Sequence, residues 1–186
     1  THKQIISFTM YNSGFDILNF FSRNLDNLLI GKFLGPTSLG LYDRAYRLML
    51  LPIQNTTHII TPVLFPTLSN YQSDISKIYN NYQNLIKALA YLGFPLSIFL
   101  SSISVDLILI IFGDKWLDSV PIFAILSLSI GIQMIYSLSG TIFQALNKTH
   151  LLFYSGVISS VLTSAGIIIC ILVFKDLLLL TNVIAI

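Results

Sequence analysis

Residues 12–36 read NSGFDILNFFSRNLDNLLIGKFLGP, and the spacing of their polar letters decides the fold. Asn12, Asp16, Asn19, Arg23 and Asp26 recur at intervals of 4, 3, 4 and 3, with Asn27 adjoining. That period lines one face of an α-helix, while Phe, Ile and Leu fill the rest of its circumference. The helix is predicted over 5–33 and ends where Gly35 permits a left-handed turn and Pro36 opens the next helix. Arg23 and Asp26, three apart, can pair on the shared face.

The same kind of text fills the chain. Hydrophobic residues make up 54% and charged residues 10% of the 186, far below the quarter or so charged in soluble domains. All eight acids are Asp, whereas a water-facing helical protein would use Glu freely. A membrane helix needs about 20 apolar residues. Helices are predicted over 5–33, 38–68, 75–112, 117–146 and 151–174, with the start of a sixth over 177–186. Asp118 is the expected N-cap of the fourth, with Pro121 in its first turn. Gly113-Asp114-Lys115-Trp116 is a short connection carrying an interfacial Trp, and Asn147 to His150 a tight turn. The fold class is therefore all-α, a polytopic transmembrane bundle, and short connections make consecutive helices antiparallel neighbours. Nothing alternates over enough length for barrel strands. Thr1 in place of Met and the apolar run reaching Ile186 lead us to expect a fragment of a longer protein.

Polar stripes recur on other helices. The second carries Asp43, Arg47, Gln54, His58 and Thr61, flanked by Arg44 and Asn55. The fourth carries Gln133, Ser137, Thr141 and Gln144, and the fifth Ser155, Ser159 and Thr163. The third has only Asp106, near one end. A charge at the bilayer centre costs about 2.5–3.5 kcal/mol on insertion scales. Three charges on one helix are expected to face the interior or a water-filled cavity. The Ser and Thr of the fifth helix fit ordinary helix packing or bonds to their own backbone. The two Gln fit interhelical bonding as well as cavity lining. Arg44 and Arg47 could also snorkel to headgroups. His58 fits a packing role, since no second His or Cys stands at metal-ligand spacing. Pro52, Pro62 and Pro66 in the second helix and Pro95 in the third can kink it.

Charge leaves the orientation open. Lys3, Lys77, Lys87 and Lys148 fall on one side, and Lys32, Arg44, Arg47, Lys115 and Lys175 on the other. The acids Asp43, Asp114, Asp118 and Asp176 lie on the second side and only Asp74 on the first, pointing to the first as cytoplasmic. No basic run suggests nucleic acid. No phosphate loop, catalytic triad or metal spacing is present. The expectation is a protein without cofactor or metal and not an enzyme. Lone Cys170 says little about redox compartment.

Three blocks resemble a known family. They are Arg23 to Pro36 with Leu39-Gly40-Leu41-Tyr42; Arg44-Ala45-Tyr46-Arg47-Leu48 through Leu51-Pro52 and Val63-Leu64-Phe65-Pro66-Thr67-Leu68-Ser69; and Phe112-Gly113-Asp114-Lys115-Trp116 with Gln144-Ala145-Leu146-Asn147-Lys148-Thr149. Together they resemble the middle of Wzx-type polysaccharide (O-antigen) flippases. The resemblance implies the multidrug/oligosaccharidyl-lipid/polysaccharide exporter superfamily: two six-helix lobes around a central cavity with alternating access. The chain would be the start of the second, C-terminal lobe, its N-terminal helix entering from the cytoplasm, and would need the N-terminal lobe as partner. The implied substrate is an undecaprenyl-diphosphate-linked oligosaccharide in the bacterial inner membrane, moved for polysaccharide or lipopolysaccharide biosynthesis. On that reading Arg23 and Arg47 face the diphosphate. Asn12, Asn19, Asn27, Gln54, Gln133 and Gln144 line the cavity for the glycan, and Asp16 and Asp26 tune Arg23 or couple to protons or sodium. The rivals are a drug/cation antiporter of the same superfamily, which would want acids without the cation at Arg23, and a lipid II flippase. From other classes come a membrane glycan polymerase or acyltransferase, which would need a long loop or reactive His/Asp set, and a non-transporting scaffold.

Overall fold

A computed structural model of the chain describes residues 2–70, 75–173 and 177–185. The helices are α1 (His2–Phe33), α2 (Gly35–Asn70), α3 (Ile75–Ser102), α4 (Ser104–Phe112), a 3-10 helix (Asp114–Ser119), α5 (Val120–Leu128), α6 (Ile130–Ser137), α7 (Ser139–Ala145), α8 (Thr149–Val173) and α9 (Leu177–Ala185). The described residues contain no strand. The chain is all-α, as its polar spacing predicts. Asp74, Lys175 and Asp176 lie outside the described residues.

Two sharp stops are glycines in the left-handed region, Gly35 at φ 88° and Gly113 at φ 83°, where a Cβ would be strained. Three expected boundaries shift. First, α2 begins at Gly35 itself and runs unbroken through Pro52, Pro62 and Pro66. Second, the 75–112 segment divides at Ile103, and the 117–146 segment divides at Ser129 and Leu138. Third, Asp118 does not cap α5. The 3-10 helix passes directly into α5 through Ser119, which makes no side-chain cap bond and instead donates from Oγ to the Trp116 carbonyl at 2.6 Å.

α3 from Ser76 to Ser102 and α8 from Thr149 to Cys170 are long and apolar enough to cross a membrane. The stretches Asp114–Leu128 and Ile130–Gln144, bent by 51° at Ser129, make a third crossing if taken as one broken span. The sequence predicts five. α1 and α2 have the length, 32 and 36 residues, but carry the polar stripes that dilute their hydropathy.

The side-chain contacts set the directions. Gly31 meets Leu39 and Asp26 meets Tyr42, an antiparallel α1–α2 hairpin. Gly93 and Ser97 of α3 meet Gly131, and Ser101 meets Ala124, again antiparallel. Gly40 meets Trp116, Met49 meets Ser129, and Thr57 meets Ser137, so α2 runs parallel to α5–α7. Gly14 meets Phe153 and Phe15 meets Gly156, so α1 runs parallel to α8. Alternating direction therefore holds, but only some of the main spatial neighbours are chain neighbours. α1 packs most extensively on α8, and α3 on α5 and α6.

α5 sits at the centre. Ile122, Phe123 and Leu126 are buried with Ile30, Tyr42, Ala45 and Met49 of the hairpin, Ile108, Ile130, Met134 and Leu180. Lipid provides no hydrophobic drive between helices, so close approach of small residues carries the packing. A Cβ built on Gly93 would stand 2.9 Å from the Gly131 Cα. At that crossing Ser97 Oγ donates to the Gly93 carbonyl at 2.8 Å and accepts from the Gly131 amide at 2.8 Å. It thereby satisfies an N–H in the first turn of α6, where intrahelical partners run out.

Candidate functional site

At about 1.5 Å per residue α2 is roughly 54 Å long, against a hydrocarbon core of about 30 Å. Gln54, nineteen residues after Gly35, falls near its middle. Asp16, fourteen residues after His2, falls near the middle of α1. Each stripe thus places polar groups near the middle of its helix.

The structure divides the stripe residues into two sets. One set joins helices. Gln144 Nε2 donates to Asn12 Oδ1 at 2.8 Å, tying α7 to α1. Gln133 Nε2 donates to Ser129 Oγ at 2.8 Å and lies 3.7 Å from the Met49 sulfur of α2. Ser137 and Thr57 hydroxyls pair at 3.0 Å. Asp26, 4% exposed, accepts from the Tyr42 hydroxyl at 2.8 Å and from the Asn27 amide at 2.7 Å. Ser155 bonds its own helix at the Leu152 carbonyl, as its packing reading predicts.

The other set is exposed. Arg47 Nε donates to both Asp43 oxygens at 2.9 and 2.8 Å, with side-chain exposures of 72% and 31%. Its terminal N–H groups have no protein partner among the described residues. Gln54 and His58 are exposed further along the same face. On α1, Asp16 is exposed and accepts from Asn12 Nδ2 at 3.4 Å. Asn27 Oδ1 and Thr61 Oγ1 are buried without a hydrogen-bond partner among the described residues. The side chains of Asn19 and Arg23, and with Arg23 its expected pairing to Asp26, lie outside the described residues. The open α2 face offers a guanidinium with free N–H donors, an amide and an imidazole, with the Asp43 carboxylate held by Arg47. Those groups suit an anionic, hydroxyl-rich ligand.

Tyr42 was not singled out by the sequence, although a signal existed. Leu34 is the turn between α1 and α2. Asp26 lies eight residues before it (34 − 26) and Tyr42 eight after (42 − 34), so an antiparallel hairpin places them opposite one another.

Residues 1–121 match the family described as polysaccharide biosynthesis protein. Over 158 residues the chain is 34% identical to the teichuronic acid biosynthesis protein TuaB of Bacillus subtilis (strain 168), covering 84% of this chain and 33% of that protein. It is 27% identical over 153 residues to the lipopolysaccharide biosynthesis protein WzxC of Escherichia coli (strain K12), covering 82% and 31%. With the succinoglycan biosynthesis transport protein ExoT of Rhizobium meliloti (strain 1021) it shares 25% over 154 residues, covering 83% and 31%. The chain thus spans about a third of the length of these relatives. No solved structure matches.

Proposed function

The chain belongs to the polysaccharide biosynthesis protein family, and from that premise we propose that it forms the second lobe of a transporter. That transporter moves undecaprenyl-diphosphate-linked oligosaccharide across the bacterial inner membrane by alternating access, rather than catalysing a covalent step. The multi-pass, all-helical architecture and the match to biosynthesis and transport proteins support the coarse reading.

One observation carries the finer one. α2 presents Asp43, Arg47, Gln54 and His58 on an open face, and lipid would penalise those nearest the middle of the helix, Gln54 and His58. The opposite face of the same helix, with Tyr42, Ala45, Met49 and Ile53, is already consumed by the core. The polar face therefore calls for water and the rest of a longer polypeptide around it. In this reading Arg47 and Arg23 hold the diphosphate, and Gln54 and Asn19 meet the glycan. Asn12, Asn27, Gln133 and Gln144 border the cavity while joining helices. Asp16 and Asp26 are the groups placed to couple transport to a cation.

The test is leaflet translocation of a lipid-linked oligosaccharide by the full-length protein in proteoliposomes. Loss of one charge-assisted phosphate contact, worth about 1.5–3 kcal/mol, predicts a fall of tenfold or more for Arg47→Ala and Arg23→Ala. Wild-type rates in both variants at equal reconstitution would refute the assignment.

A further inference from the structure

A second basic group flanks the α2 polar face. Arg44 is exposed, and its Cζ lies 5.1 Å from the Trp116 ring centroid and 5.7 Å from that of Phe112. Rings from the end of α4 and from the 3-10 helix thus hold one guanidinium by cation–π attraction. Trp116 is itself seated, its ring 3.7 Å from where a Cβ on Gly40 would be, and Phe112 leans on it at 6.4 Å between centroids. Acids are close in sequence, yet none pairs with Arg44. Asp43 is engaged by Arg47, and exposed Asp114 and Asp118 form no ion pair with it among the described residues. Five N–H donors in a planar fork are left without an acceptor among the described residues.

Depth says what accepts from them. With α2 centred on the hydrocarbon core, its excess length of about 24 Å would leave roughly 12 Å beyond the core at each end. Arg44 is nine residues after Gly35, about 13–14 Å from the helix start, which puts it at the boundary between acyl chains and headgroups. Trp116 beside it suits the same layer, and exposed Lys115 adjoins it in sequence. Arg47, one turn deeper, has its own carboxylate.

We propose that Arg44, fixed by Trp116 and Phe112, is a binding site for the phosphate of a membrane lipid headgroup. The planar fork accepts two phosphate oxygens while the rings fix its direction. The site borders the α2 polar face but uses a different guanidinium, held by the Trp116 and Phe112 rings rather than by Asp43.

Full-length protein, delipidated in detergent, is titrated with phosphatidylglycerol and read by native mass spectrometry. Diacylglycerol and inorganic phosphate serve as separate arms. Wild type should retain phosphatidylglycerol, ignore diacylglycerol, and not release the lipid to an equal concentration of inorganic phosphate. Arg44→Ala should weaken retention about tenfold. Arg44→Lys should weaken it less, and Trp116→Leu about two- to fivefold through the lost cation–π contact. Lys87→Ala, an exposed cation elsewhere on the molecule, should change nothing. Undiminished retention in Arg44→Lys and Trp116→Leu, both conservative for folding, together with Arg44→Ala would overturn the proposal. So would equal binding of diacylglycerol, which would make the contact acyl-driven, or displacement by free phosphate, which would make it a site for soluble anions.

Discussion

Gly93→Ala is expected to destabilise the bundle, against the usual trend for glycine in a helix. The added Cβ would lie 2.9 Å from the Gly131 Cα, whereas carbon atoms rest at about 3.5–4.0 Å. Backbone cannot rotate away, so α3 and α6 must separate by roughly 0.6–1.1 Å. Overpacking of that kind costs about 1–3 kcal/mol. The same separation stretches the Gly131 amide to Ser97 Oγ bond from 2.8 Å beyond the usual 3.2 Å limit, forfeiting about 0.6 kcal/mol, the mean measured between membrane helices. Alanine's helical advantage returns about 0.5–1 kcal/mol. The net loss is about 0.6–3 kcal/mol. Gly140→Ala is the internal control: its Cβ would meet nothing nearer than Leu152 at 3.8 Å, so it should be neutral or slightly stabilising. Both variants of the full-length protein are compared by reversible unfolding in mixed micelles. Gly93→Ala as stable as Gly140→Ala would refute the close crossing of α3 on α6.

Two further perturbations probe the helix contacts that position the polar face. A Cβ on Gly156 would stand 2.7 Å from the Phe15 ring, so Gly156→Val should cost about 1–3 kcal/mol. Part of that should return in Gly156→Val/Phe15→Ala, because the clash is with a side chain; a double-mutant cycle reads the coupling. Tyr42→Phe removes the buried hydroxyl that donates to Asp26 at 2.8 Å. It should cost about 0.6–1.7 kcal/mol in the same unfolding assay, from the mean to the largest value found for hydrogen bonds between membrane helices, and an unchanged stability would mean that the bond is not made.

The helical class and the sharp stops were readable because each rests on a local signal. Helix-period polar spacing in apolar text marks the class, and Gly35 and Gly113 at positive φ mark the stops. The number of crossings was not: the sequence predicts five, against two described helices and one bent pair long and apolar enough. The bend at Ser129 was not readable. Ser129 Oγ turns back to the Leu126 carbonyl at 2.7 Å, and nothing in an isolated serine announces that role. The parallel pairing of α1 with α8 depends on Gly14 against Phe153 and Phe15 against Gly156, residues about 140 positions apart that no local pattern links. For the candidate site, spacing marked the face of α2 that stays open among the described residues, but on α1 it grouped open and engaged positions together. Asn12 and Asp26 share one stripe with exposed Asp16, yet they are taken up by Gln144 and Tyr42. Periodicity reports which residues share a face, while the neighbouring helix decides which part of that face stays open.

The central claim, that the α2 polar face borders water while its neighbours border lipid, has a direct measurement. Single cysteines are placed at Gln54 and His58 on the polar face, and at Ile59 and Val63, which are 73% and 70% exposed on the apolar flank. The background is the full-length protein with its native cysteines, Cys170 included, replaced. Labelling by a membrane-impermeant maleimide is followed in native membrane vesicles. The account predicts rapid labelling at 54 and 58 and protection at 59 and 63. Protection at all four positions, or equal labelling at all four, would contradict it.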